Sequence, residues 1–126
     1  MKTSGLGVDG ERLAREYLEA SGFKVLEQNF ISRFGEIDII ATKDNYLCFV
    51  EVKTRTSKGN LATGLESISL GKQQRIIKSA EYYLATHSKF VSKAGLQPRF
   101  DCMEINVDDD INSAEIRLIE NAFCIE

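Results

Sequence analysis

Apolar residues recur along the chain at two different spacings, and these spacings separate the predicted helices from the predicted strands. An apolar face at helical spacing, which includes Leu13, Ala14 and Leu18, predicts an amphipathic helix over residues 8–21. Gly22 follows directly and suits the left-handed position at which helices commonly end. The chain is therefore expected to begin with a helix that packs against the rest of the protein.

Three strands are predicted after this helix, over residues 23–30, 36–42 and 46–53. The last two are joined by Asp44 and Asn45, residue types that tolerate the positive φ of a tight hairpin turn. The sheet is therefore expected to begin as an antiparallel meander.

The second half of the chain predicts a further helix and two further strands. Residues 54–71 are polar and contain glycine, which indicates a loop with a short helical turn at residues 66–69. The remaining predictions are a helix over 70–87, a connection through Gly95 and Pro98, and strands over 99–107 and 114–122 joined by a turn at 108–113. The order αβββαββ predicts a single α/β domain over residues 1–126, with one mixed sheet flanked by helices.

The third predicted strand ends in two charged residues that face the same way. Side chains alternate across a sheet, so Glu51 and Lys53 share a face with Leu47 and Phe49. The other face, which includes Val50, is also apolar, as is typical of a central strand buried on both sides. A carboxylate and an ammonium group are therefore expected to emerge together where this strand ends.

A second carboxylate is predicted to lie opposite this pair. Asp38 and Glu51 are equally far from the hairpin turn, so antiparallel pairing places them roughly opposite each other. Two neighbouring carboxylates repel, and the pKa of each rises unless a cation lies between them. Mg²⁺ or Mn²⁺ prefers such oxygen ligands, and the main-chain carbonyl of Val52 lies within reach as another. The pattern therefore favours a divalent-metal site.

Lys53 adds a chemical role to this predicted site. A lysine near a metal-bound water can orient the water, help to remove its proton and stabilise charge that develops on a phosphate. The set as a whole favours hydrolysis of a phosphodiester. The alternative is an ordinary ion pair between Glu51 and Lys53 at a strand edge, with Asp38 simply exposed.

The first helix offers a further carboxylate, Glu11, which lies at the edge of the apolar face in line with Ala14 and Leu18. An acid in the first turns of a helix also compensates the helix macrodipole. Glu11 is therefore either a dipole-compensating residue or an outer or direct metal ligand.

Several short motifs follow one another along the chain. They are Gly10-Glu11-x-x-Ala14-x-x-Tyr17-Leu18, Asn29, Gly35-Glu36-Ile37-Asp38-x-Ile40, Phe49-Val50-Glu51-Val52-Lys53-Thr54-Arg55, Lys72-Gln73 and Arg99-Phe100-Asp101. In this order they resemble the YraN-like family of small bacterial proteins, which is placed by similarity in the PD-(D/E)XK nuclease superfamily near the archaeal Holliday-junction resolvases. The resemblance covers residues 7–107.

This resemblance implies a restriction-endonuclease-like αβββαβ core, here with an extra C-terminal strand. It matches Asp38, Glu51 and Lys53 to the catalytic D…E-x-K triad of the superfamily. It matches Glu11 to the helix-one glutamate of the resolvase-like members. The cofactor expected from the residues and the resemblance together is Mg²⁺ or Mn²⁺.

Basic residues are concentrated near the predicted site. Lys72, Arg75 and Lys78 recur three residues apart on the second predicted helix, so they form a line that is either a solvated face or an edge that follows phosphates. Arg55, just past the predicted strand end, could hold a phosphate with two hydrogen bonds. The predicted DNA-binding set is Arg55, Lys58, Lys72, Gln73, Arg75 and Lys78.

The acidic average of the chain at first argues against a nucleic-acid partner. The 126 residues carry a formal net charge of −3, and the pI is about 5.3. The charge is unevenly distributed, because residues 53–78 carry six basic residues against one acid, whereas residues 101–126 carry eight acids against one arginine. The basic segment adjoins the predicted site, so modest DNA binding that falls steeply with salt is expected.

Cysteine context and hydropathy bear on the cellular compartment. Cys48, Cys102 and Cys124 are flanked by apolar residues, which favours buried, reduced thiols. No apolar run approaches the roughly 20 residues of a membrane span, and no signal-peptide pattern opens the chain. A cytoplasmic protein without a membrane partner is expected.

The sequence as a whole predicts a metal-dependent nuclease that hydrolyses phosphodiester bonds in DNA, branched or single-stranded. The alternative is a nucleic-acid-binding or partner-binding module that has the nuclease fold but no turnover. Cleavage of two strands of a junction would suggest a homodimer, although the sequence shows no legible interface.

Overall fold

The computed structural model describes residues 2–56, 68–107 and 114–123. The helices in these ranges are α1 (Lys2–Ala20), α2 (Leu70–Thr86) and α3 (Ser88–Ala94). The strands are β1 (Lys24–Ser32), β2 (Gly35–Lys43), β3 (Tyr46–Thr56), β4 (Gln97–Val107) and β5 (Glu115–Phe123). None of the helices described is both long and apolar enough to cross a membrane.

The strands form one five-stranded mixed sheet in the order β1-β2-β3-β4-β5. β1, β2 and β3 pair as an antiparallel meander, β4 lies parallel to β3, and β5 returns antiparallel to β4. Parallel neighbours need a crossover connection, and the segment that contains α2 and α3 provides it. This is the predicted restriction-endonuclease-like αβββαβ core, with β5 as the extra C-terminal strand.

Helices cover both faces of the sheet, and each face buries its own apolar cluster. Ala14 and Leu18 of α1 pack on one face. Ile76 and Tyr83 of α2 pack on the other, together with the partly buried Val91 of α3. The predicted apolar face of the first helix is therefore the face that the structure buries.

The strands that carry the predicted carboxylates differ in regularity. β3 alternates as predicted, with Phe49 in the cluster on the α2 side and Val50 in the cluster on the α1 side. In β2 strict alternation would place Ile37 and Ile39 on one face, but Ile37 packs on the α2 side and Ile39 on the α1 side. The β2–β3 ladder ends at the pair Ile39 and Val50, so the regular pleat is lost where Asp38 lies.

The connection between α2 and β4 is more structured than predicted. It contains α3, so the order of elements is αβββααββ rather than αβββαββ. Gly95, with a φ of 65°, ends α3 in the left-handed conformation. Pro98 lies inside β4 rather than before it and pairs with Leu47 near the start of that strand, where a proline is tolerated.

Other boundaries differ from the prediction as well, and α1 begins at Lys2 rather than at residue 8. β3 continues to Thr56, so the chain is still extended where a loop was expected from residue 54. A helical turn was expected at residues 66–69, and this prediction is wrong for Ser69, whose backbone is extended. Ser69 instead caps α2, because its hydroxyl accepts a hydrogen bond from the Lys72 N–H. Residues 66–67 and the turn predicted at 108–113 lie outside the described residues.

Candidate metal centre

Asp38 and Glu51 come together because of the hairpin register. Ile39 pairs with Val50, so the next residues beyond the ladder are Asp38 and Glu51, as the equal distances from the turn predicted. Oδ2 of Asp38 accepts a hydrogen bond of 2.8 Å from the main-chain N–H of Val52. That N–H is thereby bound to a side chain at the point where the ladder stops.

The two carboxylates occupy an environment that disfavours two negative charges. Glu51 is buried, with 4% of its surface exposed. Burial and, after it, the neighbouring charge of Glu51 together raise the pKa of Asp38 to about 7, against the lowering effect of the Val52 hydrogen bond. The pair therefore gains stability from any cation that lies beside it.

Two lysines supply positive charge to Glu51. Nζ of Lys72 lies 2.7 Å from Oε2 of Glu51, and Nζ of Lys53 lies 3.8 Å from the same oxygen. Burial lowers the pKa of Lys53, and repulsion from Lys72 adds to this effect. Burial also opposes the charge of Lys72, but its hydrogen bond to Glu51 outweighs burial and raises its pKa. Lys72 therefore keeps its positive charge to a higher pH, whereas Lys53 loses its proton more readily.

Glu11 reaches the same region from α1 and is held there by Asn29. Nδ2 of Asn29 donates a hydrogen bond of 3.2 Å to Oε1 of Glu11. Asn29 lies opposite Asp38 in the β1–β2 pairing and has a φ of 53°, a left-handed conformation that asparagine tolerates. The motif pattern contained Asn29 but assigned it no role. An asparagine inside a predicted strand, where this residue type is depleted, was the available signal.

Close packing between α1 and β3 determines how near Glu11 can come. The backbone of Gly10 touches Thr54, and a Cβ at residue 10 would overlap the Thr54 hydroxyl. Glycine at this position therefore lets α1 approach the end of β3 and carry the adjacent Glu11 toward the carboxylate pair.

Two cavities meet at the carboxylate pair. The larger, about 320 Å³, is lined by Glu11, Asp38, Glu51, Val52, Lys53, Thr54 and Lys72. The smaller, about 110 Å³, is lined by Gly35, Glu36, Asp38, Glu51, Lys72, Arg75 and Ile76. Asp38, Glu51 and Lys72 line both, so these three side chains separate one cavity from the other.

The donor set of the larger cavity fits a hard divalent cation. Mg²⁺ usually keeps several waters and binds one or two carboxylates, which Asp38 and Glu51 can provide. Over residues 2–56, 68–107 and 114–123, no three acidic, histidine or cysteine side chains are close enough to form a metal cluster. The geometry thus offers a two-carboxylate site, with Val52 and Glu11 lining the same cavity.

The predicted DNA-binding residues have different surroundings. Lys72 is directed at Glu51, and Nε2 of Gln73 donates to the main-chain oxygen of Ile68 at 3.0 Å. Arg55 is half-buried within β3, so its expected place beyond the strand end is wrong. Arg75 and Lys78 are exposed on α2. Lys58 lies outside the described residues.

The Arg99-Phe100-Asp101 motif has a structural role. Arg99 donates two hydrogen bonds of 2.9 Å to the carboxylate of Asp101, which is fully buried. Oδ1 of Asp101 also accepts the main-chain N–H of Asn121, where β5 has a positive φ of 54°. Arg99 thus holds Asp101 in place on β4, and Asp101 connects β4 to β5 through the Asn121 N–H.

A family model and individual relatives among known proteins all point to the same family. The model of the family described as "Uncharacterised protein family UPF0102" matches residues 10–105. A UPF0102 protein of Caldicellulosiruptor bescii is 44% identical over 125 residues, which cover 98% of this chain and 100% of the relative. UPF0102 proteins of Caldanaerobacter subterraneus subsp. tengcongensis and Clostridium perfringens are each 42% identical, over 94% of this chain and 93% of the relative. The chain therefore belongs to the UPF0102 family.

Proposed function

We propose that the protein is a divalent-metal-dependent nuclease that hydrolyses phosphodiester bonds in DNA. The observation that carries this proposal is the pair of the half-buried Asp38 and the buried Glu51, in which burial and mutual repulsion raise the pKa of Asp38 to about 7. A carboxyl group in a cleft whose pKa is raised by burial and by a specific neighbouring charge is typical of a functional site. The restriction-endonuclease-like fold supports the same class of reaction.

The carboxylate pair would hold Mg²⁺ or Mn²⁺, with the Val52 carbonyl and Glu11 at the edge of the same cavity. When bound, the metal would supply positive charge to a phosphoryl oxygen and to an attacking water. The chain itself orients the two carboxylates, because the Val52 N–H binds Asp38 and the Lys72 ammonium group binds Glu51.

The two lysines would have different roles at the phosphate. The lowered pKa of Lys53 suits it to orient the attacking water and to accept a proton at Nζ. Lys72 keeps its charge and would offer it to the phosphate from its position beside Glu51. Cleavage would be an in-line displacement at phosphorus, with the leaving 3′ or 5′ oxygen protonated from solvent.

Nicking assays test this proposal on linear, forked and four-way-junction DNA with Mg²⁺, Mn²⁺ or EDTA. We expect cleavage that needs the metal and that falls at least about 100-fold in Asp38→Asn and in Lys53→Met. Matched controls are Asp44→Asn in the exposed β2–β3 turn and Lys93→Met on α3, which should cleave like the wild type. Unchanged cleavage in Asp38→Asn, or cleavage in EDTA, would contradict the proposed site.

One observation favours a second candidate function, a DNA-binding module without turnover. Lys72 already neutralises Glu51 at 2.7 Å, so the carboxylates are partly satisfied without a metal. This candidate predicts salt-sensitive DNA binding and no cleavage with any divalent metal. Calorimetry with Mn²⁺ separates the two, because the nuclease requires binding that is lost in Glu51→Ala.

A further inference from the structure

Several arginines among the described residues are held in ion pairs within the chain. These are Arg12, Arg15, Arg99 and Arg117. Arg33 and Arg75 differ, because neither forms an ion pair with a described residue, and the same is true of Lys78. All three are exposed.

The turn between β1 and β2 brings these three cations to one side of the molecule. Oγ of Ser32 lies 2.9 Å from Oγ of Ser79 on α2, and it also accepts the main-chain N–H of Phe34 at 3.0 Å. A Cβ added at Gly35 would lie 3.6 Å from Cβ of Arg75. The turn that carries Arg33 is thus fastened against α2 beside Arg75. We call Arg33, Arg75 and Lys78 the turn–helix surface.

The turn–helix surface is continuous with the candidate metal centre. Arg75 lines the smaller cavity together with Asp38 and Glu51. This cavity has a volume of about 110 Å³, about a third of the volume of the larger cavity. A single unpaired strand needs less room there than a duplex does.

Aromatic rings accompany the cations on this surface. Tyr82 lies seven residues after Arg75, two helical turns along the same side of α2, and is 48% exposed. The centroid of the Tyr82 ring is 6.3 Å from that of Phe30, so the two rings pack against each other. The guanidinium of Arg33 lies 5.0 Å from the centroid of the Phe34 ring. Of these rings only Tyr82 is exposed, and Phe30 and Phe34 are half-buried. An exposed ring beside cations is typical of surfaces that bind single strands, because phosphates contact the cations and bases stack on the ring.

We propose that single-stranded DNA extends from the metal centre through the smaller cavity and along the turn–helix surface, with a base stacked on Tyr82. This inference rests on the proposed nuclease function, for which it names the substrate class. The narrow cavity and the exposed ring both favour one unpaired strand over a duplex.

Binding to fluorescent single-stranded DNA in EDTA tests the charge contribution without cleavage. The variant Arg33→Gln/Arg75→Gln is compared with Lys89→Gln/Lys93→Gln, which removes the same charge from exposed positions on α3. We expect the first variant to bind about tenfold or more weakly, with a salt dependence lowered by about 0.7 for each lost phosphate contact. Equal affinities for the two variants would overturn the proposed surface.

The stacking contribution is tested with Tyr82→Leu, for which Phe90→Leu is the matched control, since Phe90 is an aromatic residue on α3 that is 43% exposed. We expect Tyr82→Leu to weaken single-strand binding at least about fivefold and to leave duplex binding unchanged. An equal loss for single strands and duplex would overturn the assignment of an unpaired strand.

Failure of this inference is distinguishable from failure of the proposed function. A wild type that binds single strands through the turn–helix surface but cleaves nothing would support the inference and contradict the nuclease. Metal-dependent cleavage with unaltered binding by the turn–helix variants would contradict the inference alone.

Discussion

At the scale of single residues, Asn29 orients Glu11, the acid from α1 that lines the cavity beside the carboxylate pair. Its amide donates to Glu11, and its left-handed backbone lies opposite Asp38. Partners of this kind, which orient a ligand without touching the metal, commonly affect metal affinity strongly. Asn29 thus connects the helix-borne carboxylate to the strand-borne pair.

Replacing Asn29 by glycine removes the amide and keeps a residue that accepts the positive φ. We expect Asn29→Gly to weaken Mn²⁺ binding about tenfold, because Glu11 loses its orienting hydrogen bond. Calorimetry on the full chain measures this change.

The matched control is Asn121→Gly, which makes the same replacement at a positive φ in β5, on the far edge of the sheet. It should bind Mn²⁺ like the wild type. Wild-type affinity in Asn29→Gly would show that Glu11 does not depend on Asn29.

The carboxylate pair was predictable from the sequence, whereas the position of Lys72 was predicted incompletely. Asp38 and Glu51 follow from a two-residue turn and strand alternation, which are local rules. Lys72 was placed on an exposed basic line with Arg75 and Lys78. A spacing of three residues drifts around a helix, however, and Lys72 lies four residues before the buried Ile76, on the inward side. That spacing was the signal that Lys72 turns into the site.

At the scale of elements, the strands and long helices were predictable because their periodic patterns extend over several turns or pleats. α3 was missed because it has seven residues, none of them buried, and so lacks an apolar stripe. The irregularity in β2 could not be predicted either. It depends on where the β2–β3 ladder stops and on the backbone of Asn29 in the neighbouring strand.

The packing of α1 on β3 gives a prediction at this scale. Gly10→Ala places a methyl group against the Thr54 hydroxyl, so α1 must shift away from β3. We expect a loss of about 1–3 kcal/mol in the free energy of unfolding, measured by urea denaturation.

The double variant Gly10→Ala/Thr54→Ala should recover part of this loss, because it removes the overlapping hydroxyl. A loss in the double variant equal to the sum of the losses in the two single variants would contradict a direct contact between these residues.

At the scale of the whole molecule, the carboxylate pair links stability to pH. The pKa of Asp38 rises from 3.8 to about 7 on folding, so between these values the folded state binds more protons than the unfolded state. Without divalent metal, the free energy of unfolding should therefore fall as pH rises from 4 toward 8, by an amount on the order of 2 kcal/mol.

Unfolding by urea in EDTA at pH 5 and pH 8 measures this contribution. In Asp38→Asn, the free energy of unfolding should no longer fall between pH 5 and pH 8. This variant should be more stable than the wild type at pH 8, because asparagine keeps an oxygen for the Val52 N–H without the buried charge. Asp44→Asn, in the exposed turn, should retain the wild-type dependence. An identical pH dependence in Asp38→Asn would show that Asp38 is not the group responsible.

The parallel pairing of β3 with β4 also has a consequence for the order of folding. Asp38 and the Val52 N–H are 14 residues apart, and the β2–β3 hairpin that joins them closes a short loop. Lys72 belongs to the crossover that must dock before β4 can pair, a contact of larger sequence separation that forms more slowly. During folding, the two carboxylates are therefore neighbours before Lys72 arrives, and the early hairpin carries a charge repulsion that Lys72 offsets only after the crossover docks.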